Sequence, residues 1–209
     1  MTSLAKRERV AISQLLRKLG PEAPTLCEGW NSFDLLVHLV SRETRPDAAI
    51  GLVLPVFSSY TSKVAEGIKS RGFENLITEF EQGPKKNSFF AIPGVDNVAN
   101  SLEFLIHHED LLRGQPDYSP RVLDENDKKL VWKRFTQSGK LLMRKAKVGI
   151  IAQSDLGTYT IKSGQSCVTI KGDVIDLLLF AYGRKNHVKI EFEGEENAIR
   201  IIKETKFGF

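Results

Sequence analysis

The stretch LEFLIHHEDLLR, residues 102–113, puts two histidines, two glutamates and an aspartate into a run that otherwise reads as a leucine-rich helix. On a helical wheel of about 100° per residue, His107 falls about 40° from Glu103 and Asp110 about 20° to its other side. The three form one line along the axis. Leu102 and Ile106 flank it on one side, Phe104 and Leu111 on the other, so the line lies on a face that a packed helix buries. A carboxylate and an imidazole in that position are costly unless they pair or bind something. Glu103 and His107 are therefore expected to face inwards together, while His108 and Glu109 point elsewhere. The helix itself is expected over about 95–113, ended by Gly114-Gln115-Pro116.

Working outward, residues 3–19 repeat apolar positions near the helical period (Leu4, Val10, Leu15, Leu16, Leu19) and stop at Gly20-Pro21. After the loop PEAPTLCEGW, NSFDLLVHLVSRE reads as a helix capped by Asn31, with Asp34 at the third helical position complementing the exposed amides. Residues 45–55 read as irregular, and helical patterns resume over 56–70 and 73–82. EQGPKKNSFFAIPG is a break, and another helix covers about 124–146. Beyond Lys147 the texture changes. VGIIAQ, TYTIK and SCVTIK are short β-branched runs, DVIDLLLFAYG a helix, HVKIEFEG an alternating strand and ENAIRIIKE a last helix. The expectation is an α+β protein, with an N-terminal bundle of four or more helices over 1–147 and a small C-terminal α/β domain over 148–209.

Composition narrows the functional classes. With 209 residues, 41% hydrophobic and 27% charged, the chain has ample material for a core and none of the bias of disorder. Its net charge of +4 is scattered in pairs such as Lys6-Arg7, Lys85-Lys86, Lys128-Lys129 and Arg184-Lys185. Those read as solvated faces, and no basic-aromatic stripe supports a nucleic-acid partner. The apolar run AIGLVLPVF is too short to span a bilayer and contains Pro55, so no membrane partner is expected. Cys27 and Cys167 form no CxxC motif, which fits a reducing compartment, and MTSLAKRERVAISQLL is amphipathic rather than a secretory signal. The expected location is cytoplasmic. Cys27 reads as a small buried residue and Trp30 as a hydrophobic staple under the cap.

Glu103 and His107, four apart on a helix, make a workable two-ligand clamp for a metal. A third ligand must come from elsewhere among the four histidines. His38 sits mid-helix between Val37 and Leu39, where a bundle helix would present it inwards. His187, at the start of the HVKIEFEG strand, is a weaker candidate. Two histidines and one glutamate would leave open coordination positions, as in catalytic metal sites. The competing reading is a polar core network with an ordinary hydrogen-bonded pair at Glu103 and His107. No G-x-S-x-G nucleophile elbow occurs.

LCEGWNSFDLLVHLVSRE resembles the C-x-G-W-[TS]-x-x-D-L-x-x-H-[LV] segment of the DinB-like superfamily, in the branch of mycothiol-dependent maleylpyruvate isomerase. SLEFLIHHEDLLRGQP resembles that branch's E-x-x-x-H-x-x-D-x-x-R helix, and VTIKGDVIDLLLFAYGR its C-terminal segment ending in G-R. RETRPDAAIG and the doubled His107-His108 are similar to an actinobacterial subgroup described as metal-binding. The resemblance covers nearly the whole chain in order. It implies an antiparallel four-helix bundle followed by a small α/β domain, and His38, Glu103 and His107 as ligands of a divalent metal: zinc foremost, with nickel, manganese or iron as alternatives. Asp34 and Asp110 would orient ligand imidazoles, and Arg184 would meet an anionic substrate or the thiol. The implied chemistry is activation of a low-molecular-weight thiol, mycothiol, against a small electrophile, as an isomerase or S-transferase. The alternative is a non-catalytic metal- or small-molecule-binding module of the same fold.

Overall fold

The computed structural model describes residues 2–45, 47, 58–84 and 95–208. The irregular stretch at 45–55 and the break EQGPKKNSFFAIPG lie largely outside these residues. The chain forms two compact units, residues 1–120 and 121–209. Among the described residues there are eight α-helices and one four-stranded sheet. None of these helices is long and apolar enough to cross a membrane.

The first unit contains α1 (Leu4–Leu19), α2 (Ser32–Thr44), α3 (Ser58–Lys69), α4 (Phe73–Gln82) and α5 (Val95–Arg113). Helix α1 packs against α5 and α4, and α2 against α3 and α4. Their shared core includes Ile12, Leu16, Leu35, Leu39, Ile77, Phe80 and Phe104. The capping box at α2 is present: Asp34 N–H donates to Asn31 Oδ1 at 3.0 Å, and Asn31 N–H donates to Asp34 Oδ2 at 3.2 Å. Gly20 ends α1 with φ +79°, a left-handed conformation that favours glycine.

The buried stripe of α1 differs from its expected apolar set. Val10 faces solvent, and Arg9 takes the inward position instead. Its guanidinium makes a two-pronged pair with Glu43 of α2, Nη1–Oε2 2.7 Å and Nη2–Oε1 2.5 Å, and donates to the Phe80 carbonyl at 2.9 Å. It also lies over the rings of Phe80 and Phe104, 4.9 and 4.8 Å from their centroids. Periodicity that counts only apolar side chains misses an arginine whose charge is neutralised inside.

The second unit holds α6 (Glu125–Leu142), β1 (Gly149–Ser154), β2 (Gly157–Lys162), β3 (Cys167–Lys171), α7 (Val174–Ala181), β4 (Glu191–Glu193) and α8 (Glu196–Glu204). The strand order is β2-β1-β3-β4; β1 pairs antiparallel with β2 and parallel with β3, and β3 antiparallel with β4. Helix α6 packs on α7 and β2, and α8 on β3. Every residue of α7 is buried, which explains its unbroken VIDLLLFA run. HVKIEFEG is mostly not strand. Lys185–His187 form a 3-10 turn, Lys189 N–H donates to Asp176 Oδ2 at 3.2 Å, and only Glu191–Glu193 pair with β3. The buried carboxylate of Asp176 diverts that backbone from the ladder.

Candidate metal centre

The polar line predicted on α5 exists, and α2 brings His38 to it. His38 Nε2 and His107 Nε2 each donate to the same oxygen, Glu103 Oε1, at 3.2 Å. The three ligand atoms lie within 4.8 Å of one another. Around an ion with bonds of about 2.0–2.2 Å, neighbouring ligand atoms sit about 3.0–3.5 Å apart in octahedral or tetrahedral arrangements. The two 3.2 Å spacings to Glu103 fall within that range. The histidine rings meet edge-on, 5.1 Å between centroids at 72°, so their nitrogens converge instead of stacking. Trp30 packs on the His38 ring at 5.1 Å, which turns the expected staple into part of the site.

A second layer of contacts orients these groups. Asp110, fully buried, accepts from His107 Nδ1 at 3.0 Å and from the Cys27 thiol at 3.2 Å. Asp110 thus fixes the ring so that Nε2 faces Glu103, the arrangement common behind metal-bound histidines. Asp110→Asn is expected to weaken zinc binding about 10- to 100-fold without unfolding the protein, read by competition with a chelating dye. Arg42, one turn beyond His38 and on the same face of α2, contacts Glu103 Oε1 through Nε at 3.3 Å and donates through Nη1 to Asn100 Oδ1 at 2.7 Å. Asn100 in turn donates to Glu43 Oε1 at 3.1 Å. Sequence reasoning missed Arg42 and Asn100, although the i, i+4 spacing from His38 and the i−3 spacing from Glu103 were signals available for both.

Asp34 lines a cavity between α2 and α3 together with His38 and Arg42. Asp34, at the α2 cap, accepts from Lys69 at 2.6 Å in addition to its capping bond. His108 is buried on another face of α5 against Glu8, with Nδ1–Oε2 at 2.8 Å, which accounts for the doubled histidine without a ligand role. Arg184 belongs to the second unit, where its Nη1 donates to the Tyr182 carbonyl at 2.7 Å. His187 is exposed in its 3-10 turn.

Cys27 is half-buried, not a plain core residue. Its loop is fastened to the end of α5. Leu26 N–H donates to the Asp110 carbonyl at 3.1 Å, and Gln115 Nε2 to the Pro24 carbonyl at 2.9 Å. A Cβ at Gly114 would stand 2.6 Å from the Pro24 oxygen, so only glycine allows this approach.

The metal-free electrostatics are uneven. Burial lowers the His38 pKa, outweighing its bond to Glu103, so His38 is neutral at pH 7. Burial also opposes charge on His107, but its bonds to Asp110, Cys27 and Glu103 prevail and hold it well above its ordinary 6.5. Burial would raise Glu103, yet the bonds from His107 and His38 and the nearby charges of His107 and Arg42 hold it well below 4.5. At pH 7 the resting set is neutral His38, protonated His107 and ionised Glu103. A metal must displace the His107 proton. About one proton is therefore expected to be released per ion bound at pH 7, with affinity rising up to tenfold per pH unit until His107 titrates in the metal-free protein. Isothermal titration in buffers of different ionisation enthalpy reads this directly. The signs for metal-free stability follow. The His107 contribution is full below 6.5 and lost as pH rises through its raised value. The Glu103 contribution is full above 4.5 and lost as pH falls through its lowered value.

Beside the ligands, a cavity of about 440 Å³ opens between α2 and α3, with Trp30, Val37, His38, Arg42, Ala65 and Lys69 in its wall. Its size suits a small organic molecule, and His38 and Arg42 connect it to the ligand cluster.

No protein-family model matches the chain, and no curated protein matches it in sequence. Solved structures do resemble it. The crystal structure of the mycothiol-dependent maleylpyruvate isomerase superposes with a TM-score of 0.58 at 17% identity, covering 92% of this chain and 91% of that one. A histidine-to-alanine variant of that isomerase gives 0.59 at 17% identity, covering 90% of each chain. This chain thus shares the α+β fold of these neighbours along nearly its whole length.

Proposed function

We propose that the helical first unit is a DinB-like metal module, and that the protein is a mycothiol-dependent isomerase or S-transferase acting on a small electrophile. The observation that carries this reading is the convergence of His38 Nε2 and His107 Nε2 on Glu103 Oε1, each at 3.2 Å, with His38 also lining a 440 Å³ cavity. The neighbouring fold supports it, since its proteins are a mycothiol-dependent isomerase.

In this reading His38, Glu103 and His107 hold one divalent ion, with zinc the best match to a borderline nitrogen and oxygen set. Such an ion, when bound, lowers the pKa of a thiol or water beside it to near neutrality. Asp110 holds the His107 proton on Nδ1, which leaves Nε2 free to ligate. Arg42 steadies the Glu103 carboxylate and presents positive charge to the cavity. Trp30 covers the His38 ring and limits water at that side. The cavity would take the electrophile. No protein nucleophile is needed, because the thiol itself forms and then releases the bond to carbon.

The test is turnover of maleylpyruvate, and conjugation of a panel of small electrophiles, by zinc-loaded protein with mycothiol. Thiol-dependent turnover that vanishes on chelation is the expected result. Metal-loaded protein that leaves every electrophile and maleylpyruvate unchanged would overturn the reading.

A further inference from the structure

The His107 ring has two faces, and the ion proposed above uses only one. On the Nδ1 side, Cys27 Sγ lies 3.2 Å from Asp110 Oδ2, Asp110 Oδ2 3.0 Å from His107 Nδ1, and Cys27 Sγ 3.9 Å from that nitrogen. We propose that Cys27, Asp110 and His107 Nδ1 form a second cation site, selective for a thiophilic divalent ion.

Metal bonds of about 2.3 Å to sulfur and about 2.0–2.2 Å to nitrogen and oxygen give tetrahedral edges near 3.3–3.6 Å. The observed spacings match those edges within about 0.4 Å, a shift that side-chain torsions supply. The position of the thiol is set by main chain and not by chance contact. The Leu26–Asp110 backbone bond and the close approach at Gly114 fix its loop to the end of α5. Asp110 and His107 are the buried floor, and half-buried Cys27 is the opening through which an ion enters. Thiolate ligation favours softer ions than the His38, Glu103 and His107 set. As the metal–sulfur and metal–nitrogen bonds form, the Cys27 S–H and His107 Nδ1–H bonds break and both protons pass to water; nothing is oxidised or reduced.

The two sites share one imidazole, and a neutral imidazole offers a lone pair at only one nitrogen. An ion on Nε2 leaves N–H on Nδ1, facing Asp110. An ion on Nδ1 leaves N–H on Nε2, facing Glu103 Oε1 at 3.2 Å. Each carboxylate is therefore a ligand in one state and an orienting acceptor in the other. The tautomer of His107 selects between a borderline ion and a soft one.

Cadmium(II) titration of Cys167→Ser protein tests this, because that substitution removes the only other thiol. A thiolate-to-cadmium charge-transfer band is expected to saturate near one equivalent. It should disappear in the additional Cys27→Ser variant and persist in His38→Ala, since the soft site needs neither His38 nor Glu103. Asp110→Asn, which keeps the thiol, should weaken cadmium binding at least about tenfold. No band, a band that survives Cys27→Ser, or cadmium affinity indifferent to Asp110→Asn would overturn the proposal. A band in protein with His38 intact that takes up no zinc would overturn the first metal site and leave the second standing.

Discussion

His38→Ala and His107→Ala proteins are expected to be purified without a divalent ion, where the wild type is expected to hold about one per chain. Loss of a partner that merely orients a ligand weakens metal binding about 10- to 100-fold, so loss of a ligand itself should exceed about 100-fold. Elemental analysis after incubation with zinc and gel filtration is the measurement. The two variants differ usefully in the metal-free state. His38 is neutral there and only its bond to Glu103 is lost, whereas His107 carries charge shared with Asp110 and Glu103. Metal-free His107→Ala should therefore lose more stability than His38→Ala at pH 6. Wild type that takes up no zinc would sink the metal reading and leave Glu103, His38 and His107 as a buried polar network.

Glu43→Ala is expected to cost about 3–5 kcal/mol of stability, the range for removing one member of a buried ion pair. Arg9 would keep its charge among the Phe80 and Phe104 rings while losing the carboxylate that takes both its terminal nitrogens. Glu43 also accepts from Asn100, so the substitution loosens α1, α2 and α5 together. Replacing the pair as a whole, Arg9→Met with Glu43→Leu, should recover most of the loss, because no charge is then left buried. Urea unfolding of the three proteins gives the comparison. A Glu43→Ala midpoint equal to wild type would mean that the pair contributes nothing beyond packing.

Much of the helical body was legible before any coordinates. Gly20, the Asn31 cap with Asp34 and the Gly114 stop gave helix limits within a residue or two, because capping chemistry acts over three or four residues. Glu103, His107 and Asp110 aligned on the wheel for the same reason. The contact of the Cys27 thiol with Asp110 was not legible, because nothing near Cys27 in sequence announces a residue 83 positions away.

What the sequence determined by itself was therefore local: where helices start and stop, that residues after Lys147 turn to strands, and that a carboxylate and an imidazole share one inward face of α5. The tertiary structure decided what meets that face. It brought His38 to Glu103 across 65 positions, turned Arg9 inwards in place of Val10, grouped α6 with the sheet, and cut the last strand to three residues around Asp176. Helical period and capping are written into neighbouring residues, whereas the pairing of one helix face with another depends on register and crossing geometry, which exist only once the helices pack.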